Sequence, residues 1–155
     1  GLLLRLVASQ PVTSAELIRG ETARIAGWAS RGYGEKQPCS TLQATLTGPA
    51  PAAAMAFLVL APEGSCDPVF RRLTVESGSG IACSYEHHGF EDIAVFSADD
   101  SEMAVADFRM HGEFFWLRLE GGVLKQVLAV RARGLARGGR LIFRKSEPGS
   151  YLSVN

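Results

Sequence analysis

Phe114-Phe115-Trp116-Leu117-Arg118-Leu119 runs into Glu120-Gly121-Gly122 and then into Val123–Arg133, two stretches of strand length joined by paired glycines. A tight link with positive φ at both central positions matches the twist of antiparallel strands, and glycine enters that region without steric cost. This part of the chain is committed to a hairpin, and the same grammar recurs elsewhere. Leu2–Val7, Thr22–Ser30, Ser40–Thr47, Ala53–Leu60, Val69–Val75, Ile81–Tyr85, Glu91–Phe96 and Met103–Phe108 all have strand length, with Gly, Ser or Asp clusters between the later ones. Val123–Arg133 folds back through Gly134–Gly139 onto Arg140–Arg144, and Tyr151–Val154 closes the chain. No window sustains apolar residues at i, i+3, i+4 and i+7, and Glu16–Arg19 has room for one helical turn at most. The expected fold is all-β: an antiparallel β-sandwich, or stacked two-layer sheets, of about a dozen short strands forming a single domain over residues 1–155. Gly48-Pro49-Ala50-Pro51 and Ser77–Gly80 read as loops, and Pro62–Pro68 as a seam within the sheet system.

Side-chain alternation assigns faces to these strands. In Ser40–Thr47, Leu42, Ala44 and Leu46 point inward, while Thr41, Gln43, Thr45 and Thr47 point to water. Ala53–Leu60 is apolar on both faces, which predicts a central, doubly covered strand. Thr22–Ser30 alternates Ala23, Ile25 and Gly27 against Arg24, Ala26 and Trp28, then ends in a glycine-rich corner, Gly27-Trp28-Ala29-Ser30-Arg31-Gly32-Tyr33-Gly34. Trp28 and Tyr33 either stack on a sugar ring or lock two sheets together.

Charge and composition narrow the function. Formal net charge is zero, so no global field draws in a phosphate backbone and no nucleic-acid partner is expected. The longest apolar run, Ala50–Ala61, contains a proline and is too short to span a bilayer, so no membrane partner is expected either. Arg5 interrupts Leu2-Leu3-Leu4 before it resembles a signal-peptide core. A chain that starts without methionine and directly in a strand reads as a piece of a longer protein, with Gly1 as a cloning remnant. Cys39, Cys66 and Cys83 lack CxxC spacing and read as small half-buried hydrophobes, or as one bridged pair in an oxidising compartment.

Local charge is uneven. Nine acids against Arg109 and Arg118 lie between Glu86 and Glu120, whereas Val123–Lys145 holds seven bases and no acid. Strict alternation places Lys125, Arg131 and Arg133 on one face, away from Leu124, Leu128 and Val130, and sets Arg140 and Arg144 opposite Leu141 and Phe143. Like charges facing one another across paired strands need a negative neighbour. The acidic strands upstream supply one source; an acidic polysaccharide or a partner chain supplies another. Among chemical motifs, Glu86-His87-His88 has metal-binding residue types, but neighbouring strand residues point to opposite faces unless Gly89 makes a turn. His111 beside Glu113 has the makings of a general acid or base. Asp99-Asp100-Ser101-Glu102 reads as a wet turn rather than a calcium loop, and Phe114-Phe115-Trp116 as core. No nucleophile elbow, phosphate loop or zinc helix occurs, so no catalytic residue, metal or cofactor is expected.

Gly27-Trp28-x-Ser30-x-x-Tyr33-Gly34, then a polar stretch with Pro38, an alternating strand and the apolar Ala53–Pro62 segment, resembles the C-terminal β region of the heparinase II/III-like polysaccharide lyases over residues 20–63. The resemblance implies a bacterial protein, periplasmic or secreted, that cleaves uronic-acid polysaccharides by β-elimination. In that family the neutralising and proton-moving groups sit mainly in an upstream (α/α) toroid and the first part of the β region, and no residue here matches those motifs. The chain is then a domain, inactive alone, that packs on the upstream catalytic domain of the same chain. Trp28, Ser30 and Tyr33 carry over as the family's corner, while the stretch after Pro68 matches no pattern of the family. Two rival readings are an autonomous carbohydrate-binding module, gripping uronate or sulfate with Arg131, Arg133 and Arg140, and a module that dimerises by matching its acidic and basic zones.

Overall fold

Fifteen strands and no helix make up the residues that the computed structural model describes, 2–50, 52–60 and 69–154. The chain divides into two compact units, Gly1–Ser9 with Ala53–Asn155, and Gln10–Ala52. The expected all-β, antiparallel class is what forms. The Pro62–Pro68 seam lies outside the described residues.

In the larger unit, β1 (Leu2–Ala8) pairs with β6 (Ala54–Leu60), in register from Leu2 opposite Leu60 to Ala8 opposite Ala54. The doubly apolar run is therefore not a central strand. β6 has only β1 as a partner among the described residues, and Leu58 is 67% exposed. Three of the run's eight residues are alanine, which has little side-chain area to bury.

The remaining strands of this unit are β7 (Val69–Leu73), β8 (Val75–Ser77), β9 (Gly80–His87), β10 (Phe90–Ser97), β11 (Glu102–Val105), β12 (Phe108–His111), β13 (Phe114–Glu120), β14 (Val123–Arg137) and β15 (Arg140–Val154). They form one antiparallel sheet in the order β7-β9-β10-β13-β14-β12-β11-β8, with β15 added to β14. The two ends of that order, β7 and β8, are separated in the chain by Thr74 alone. A sheet whose ends are tied by one residue must curl, and this one is nearly closed and barrel-like. Its opposing walls enclose the core: Ala82, Ile93, Val95, Met103, Val105, Phe108, Met110, Phe115, Leu117, Leu119, Val127, Ala129, Ala132 and Leu135.

Met103–Phe108 is two strands, because Ala106 takes φ 51 and turns the chain between Val105 and Phe108. Both strands keep their large apolar residues inward, and the three-residue step from Val105 to Phe108 marks the break. Paired glycines turn the chain at Gly121-Gly122 (φ 54 and 78) and again at Gly138-Gly139 (φ 53 and 78), as hairpins of this type require.

β14 departs most from simple alternation. Its inward residues are Leu124, Val127, Ala129, Ala132 and Leu135, so the phase slips repeatedly. Lys125 is the extra residue of a bulge, because Arg118 faces Gln126 while Leu119 faces Leu124. A second irregularity lies between Ala129 and Gly134, where Arg131 takes φ 49. Lys125, Arg131 and Arg133 all stay outside the inward set, but Leu128 and Val130 do not join Leu124 there, because the bulges shift the period. Bent in this way, β14 pairs along one edge with β13 through residues 123–130 and with β12 through residues 134–137.

On the outer face of β10 and β13, Asp92 accepts two hydrogen bonds of 2.7 Å from Arg118, and His87 Nε2 lies 3.1 Å from the same carboxylate. The guanidinium covers Trp116 and Phe90, at 4.9 and 5.3 Å from their ring centres.

The smaller unit is thinner. β2 (Val12–Arg19) pairs with β5 (Ser40–Leu46), and β3 (Trp28–Ala29) with β4 (Gln37–Pro38). Glu16–Arg19 is strand, not a helical turn, because Leu17 and Leu42 meet across the ribbon. The Ser40–Thr47 alternation holds: Leu42, Ala44 and Leu46 face Leu17, Ala15 and Val12. Leu17 nevertheless remains 74% exposed and Leu42 44%.

Phe115 is fully buried at the centre of the curled sheet, so Phe115→Ala should cost about 3–5 kcal/mol in urea unfolding. Leu152→Ala, at a position 71% exposed, should change stability by no more than about 0.5 kcal/mol. Equal effects would show that the core is misplaced.

Candidate functional site

In the smaller unit, most of Thr22–Ser30 is a looped corner rather than a strand. Residues 22–25 turn, Ile25 takes φ 50 and stands exposed, and only Trp28–Ala29 is extended. The Gly27 carbonyl accepts from the amides of Gly20 and Cys39, both at 2.8 Å. Gly27 itself has φ 74, and a Cβ there would lie 2.8 Å from Arg19 Cα and from Gly20 N, so no other residue fits. Trp28 Nε1 donates to the Glu21 carbonyl at 2.9 Å, and the Lys36 ammonium sits 4.1 Å from its ring centre. Ser30 Oγ donates to the Gly32 carbonyl at 2.6 Å, inside the same loop. Tyr33 is fully exposed and locks nothing. Trp28 is thus held as a half-buried anchor, while Tyr33 projects into water.

In the larger unit, the upstream acids meet much of the basic segment. Arg137 pairs with Asp107 at 2.7 Å, Arg131 with Glu113 at 3.4 Å, Arg133 with Asp100 at 3.6 Å and Lys125 with Glu120 at 3.7 Å. Lys145 donates to the Ser150 carbonyl at 2.7 Å. Among the described residues, Arg140 and Arg144 have no carboxylate at ion-pair distance. Arg131, Arg133 and Arg140 do not form one strip. Arg131 and Arg133 line a groove with Asp99, Asp100 and Glu113, whereas Arg140 lines another beside Arg137, its partner across the β14–β15 turn.

A third groove shares Arg133 with the first of these and Leu141 with the second. Register places Glu102 opposite His111, His111 opposite Gly134, and Gly134 opposite Arg144, one lateral row across β11, β12, β14 and β15. Gly134 carries no side chain, so the row is open at its centre. The result is a cleft of about 490 Å³ walled by Arg109, His111, Arg133, Arg144 and Lys145, with Glu102 as its one carboxylate and Leu141 as an apolar patch. Its volume falls within the range of small-molecule sites. Two buried nitrogens at this cleft, His111 Nε2 and Arg133 Nε, have no hydrogen-bond partner. Asp100 lies 3.3 Å from that imidazole nitrogen, at ion-pair distance but without hydrogen-bond geometry. The arrangement suits an anion with several oxygens. Arg109, Arg144 and Lys145 are absent from the sequence-based candidates. The signal that could have found them is the pairing of β14 with both β12 and β15, which brings bases of three strands together.

Other motifs are occupied. His88-Gly89 forms the turn after β9, with φ 46 and 82, and His87 is held by Asp92. Asp99 accepts from the Ser101 amide and hydroxyl, which lowers its carboxyl pKa and makes the acidic run a capped turn. Cys39 and Cys83 are free thiols, and Cys66 lies outside the described residues. Among the described residues, no group of three His, Cys, Asp or Glu side chains could hold a metal. No protein-family model matches the chain, and a search of curated proteins finds no match.

Two outcomes follow from this geometry. Gly27→Ala should loosen the corner at a cost of about 2 kcal/mol or more, read as faster hydrogen exchange at Gly20 and Cys39; unchanged exchange would refute the packing described. Burial pushes the Cys83 thiol up to about 11, from 9.0 when exposed. The unfolded chain therefore sheds this proton first, and stability should fall as pH rises from about 9 toward 11. Cys83→Ala should remove that slope, and a folded chain treated with iodoacetamide near pH 8 should be alkylated at Cys39 but not at Cys83.

Proposed function

We propose that this chain is the non-catalytic, all-β C-terminal region of a heparinase II/III-like polysaccharide lyase, and that its basic cleft holds a uronate-bearing polysaccharide. The observation that carries the reading is the cleft wall, four permanent cations to one carboxylate, around an opening left by Gly134. Guanidinium groups match carboxylates in shape and charge. Leu141, 59% exposed at the rim, offers an apolar contact to a sugar ring face. The neighbouring ion pairs are solvent-exposed and long, so a ligand gives up little by replacing them.

The apolar face of the β2–β5 ribbon supports the first half of the reading, a region that packs on the rest of a larger protein. Val12 and Leu42 are both 44% exposed and Leu17 74%, a face suited to packing on the upstream catalytic domain of the same chain. The resemblance at Trp28, Ser30 and Tyr33 implies that the reaction belongs to that upstream domain, in a periplasmic or secreted protein.

Titration calorimetry with an oligogalacturonate tests the reading. Binding should weaken by about tenfold between about 50 and 200 mM salt, and Arg144→Glu should weaken it by a similar factor. Equal binding of a neutral dextran would refute the charge argument. Release of an ultraviolet-absorbing unsaturated sugar by the chain alone would refute the non-catalytic assignment.

A further inference from the structure

Arg133 belongs to two grooves at once, the basic cleft on one side and the groove of Asp99, Asp100 and Glu113 on the other. From that second groove Asp100 reaches toward the buried imidazole nitrogen of His111 and toward one terminal nitrogen of Arg133. Its Oδ1 lies 3.3 Å from His111 Nε2, and its Oδ2 lies 3.6 Å from an Arg133 terminal nitrogen. Neither contact has the 2.7–2.9 Å length of a charge-assisted hydrogen bond. Two nitrogens of the same side chains, His111 Nε2 and Arg133 Nε, are shielded from water yet make no hydrogen bond. Buried donors left in this state are costly, and an acceptor that reached them would recover that cost. Asp100 is itself 71% exposed on the turn between β10 and β11, so moving it costs little.

We propose that Asp100 is a built-in competitor for the cleft. Its carboxylate stands where the carboxylate of a bound uronate accepts from the Arg133 guanidinium and a protonated His111 Nε2, and the ligand binds by displacing it. The exchange is of like for like. One carboxylate leaves for water and another arrives with better geometry, so the gain lies in satisfying the two donors. This inference rests on the polysaccharide reading for the identity of the ligand, and on the Asp100–His111–Arg133 geometry for the competition.

The test compares wild type, Asp100→Asn and Glu91→Gln, the last removing one charge from β10 instead of from the turn. Oligogalacturonate binding is measured by calorimetry. Binding of the monosaccharide glucuronate is followed by the ring signals of His111 in NMR, with glucose as the uncharged control. Asp100→Asn should bind both uronates about five- to tenfold more tightly, with glucuronate shifting the His111 signals saturably at lower concentration. Glu91→Gln should change affinity by less than about twofold.

If the polymer binds wild type but Asp100→Asn binds no more tightly, the competitor role is overturned and the polysaccharide reading stands. If glucuronate moves His111 more readily in Asp100→Asn while no polymer binds, the competitor role stands and the polysaccharide reading falls. An equal response of His111 to glucose, or none to any sugar, overturns the competitor role.

Discussion

A sheet that curls until its ends are joined by one residue has lost its freedom over side-chain phase. Inward positions must be apolar or small, as the buried Ser84 opposite Ile93 is, and each cation must find an outward one. β14 bears this constraint most heavily, because it has to pair with β13 and then with β12 along a single edge while seven bases crowd it and its hairpin partner. A regular strand of 15 residues could not serve both neighbours and keep its core residues inward. The bulges at Lys125 and Arg131 solve this by inserting cations exactly where the ladder is interrupted, so the extra residue is one that belongs in water. The cleft exists because of the same bend. It forms where β12 and β15 flank the second half of β14 and Gly134 leaves their shared row empty.

The two units solve the burial problem differently. The curled sheet buries Phe108, Phe115, Met103, Met110 and Leu117 nearly completely. The β2–β5 ribbon sorts its residues less cleanly: Leu17–Leu42 and Ala15–Ala44 share one face, yet Leu17 stays mostly in water while Ile18, on the face of Glu16–Gln43, is 4% exposed. A two-stranded ribbon is marginal in isolation. A sequence can therefore be well patterned for a sheet face and still depend on other surfaces for its cover.

What the sequence made legible was local: the strand-length runs, the hairpin at Gly121-Gly122, and the alternation of Ser40–Thr47. Each rests on residues near one another in the chain, where steric preference decides. The misreadings share a different cause. Ala106 and Ile25 adopt positive φ without being glycine, so neither announces the turn that divides Met103–Phe108 or the one that loops the Thr22–Ser30 stretch. The bulges in β14 are invisible to an alternation count because they are set by partners on β13 and β15. The site suffered most. Arg109, Arg144 and Lys145 come together only through register across three strands, and a strip built from Arg131, Arg133 and Arg140 by alternation alone is dispersed between two grooves.

Two ion pairs on the same sheet show why geometry, more than charge, decides which contacts are available for exchange. Asp92 and Arg118 meet through two contacts of 2.7 Å, the carboxylate is 11% exposed, and Trp116 and Phe90 cover the guanidinium. Removing either partner there strands a buried charge, which makes the pair a fixed part of the structure. Asp100 and Arg133 meet at 3.6 Å with 71% and 42% of their side chains exposed. Water already screens this pair, so its loss costs little. The difference follows from position: Asp92 lies inside a strand, cross-paired with Arg118, whereas Asp100 hangs from a turn and meets its partners obliquely. A sheet protein can thus carry both kinds of contact within a few strands, the first fixing the architecture and the second leaving donors ready for a ligand.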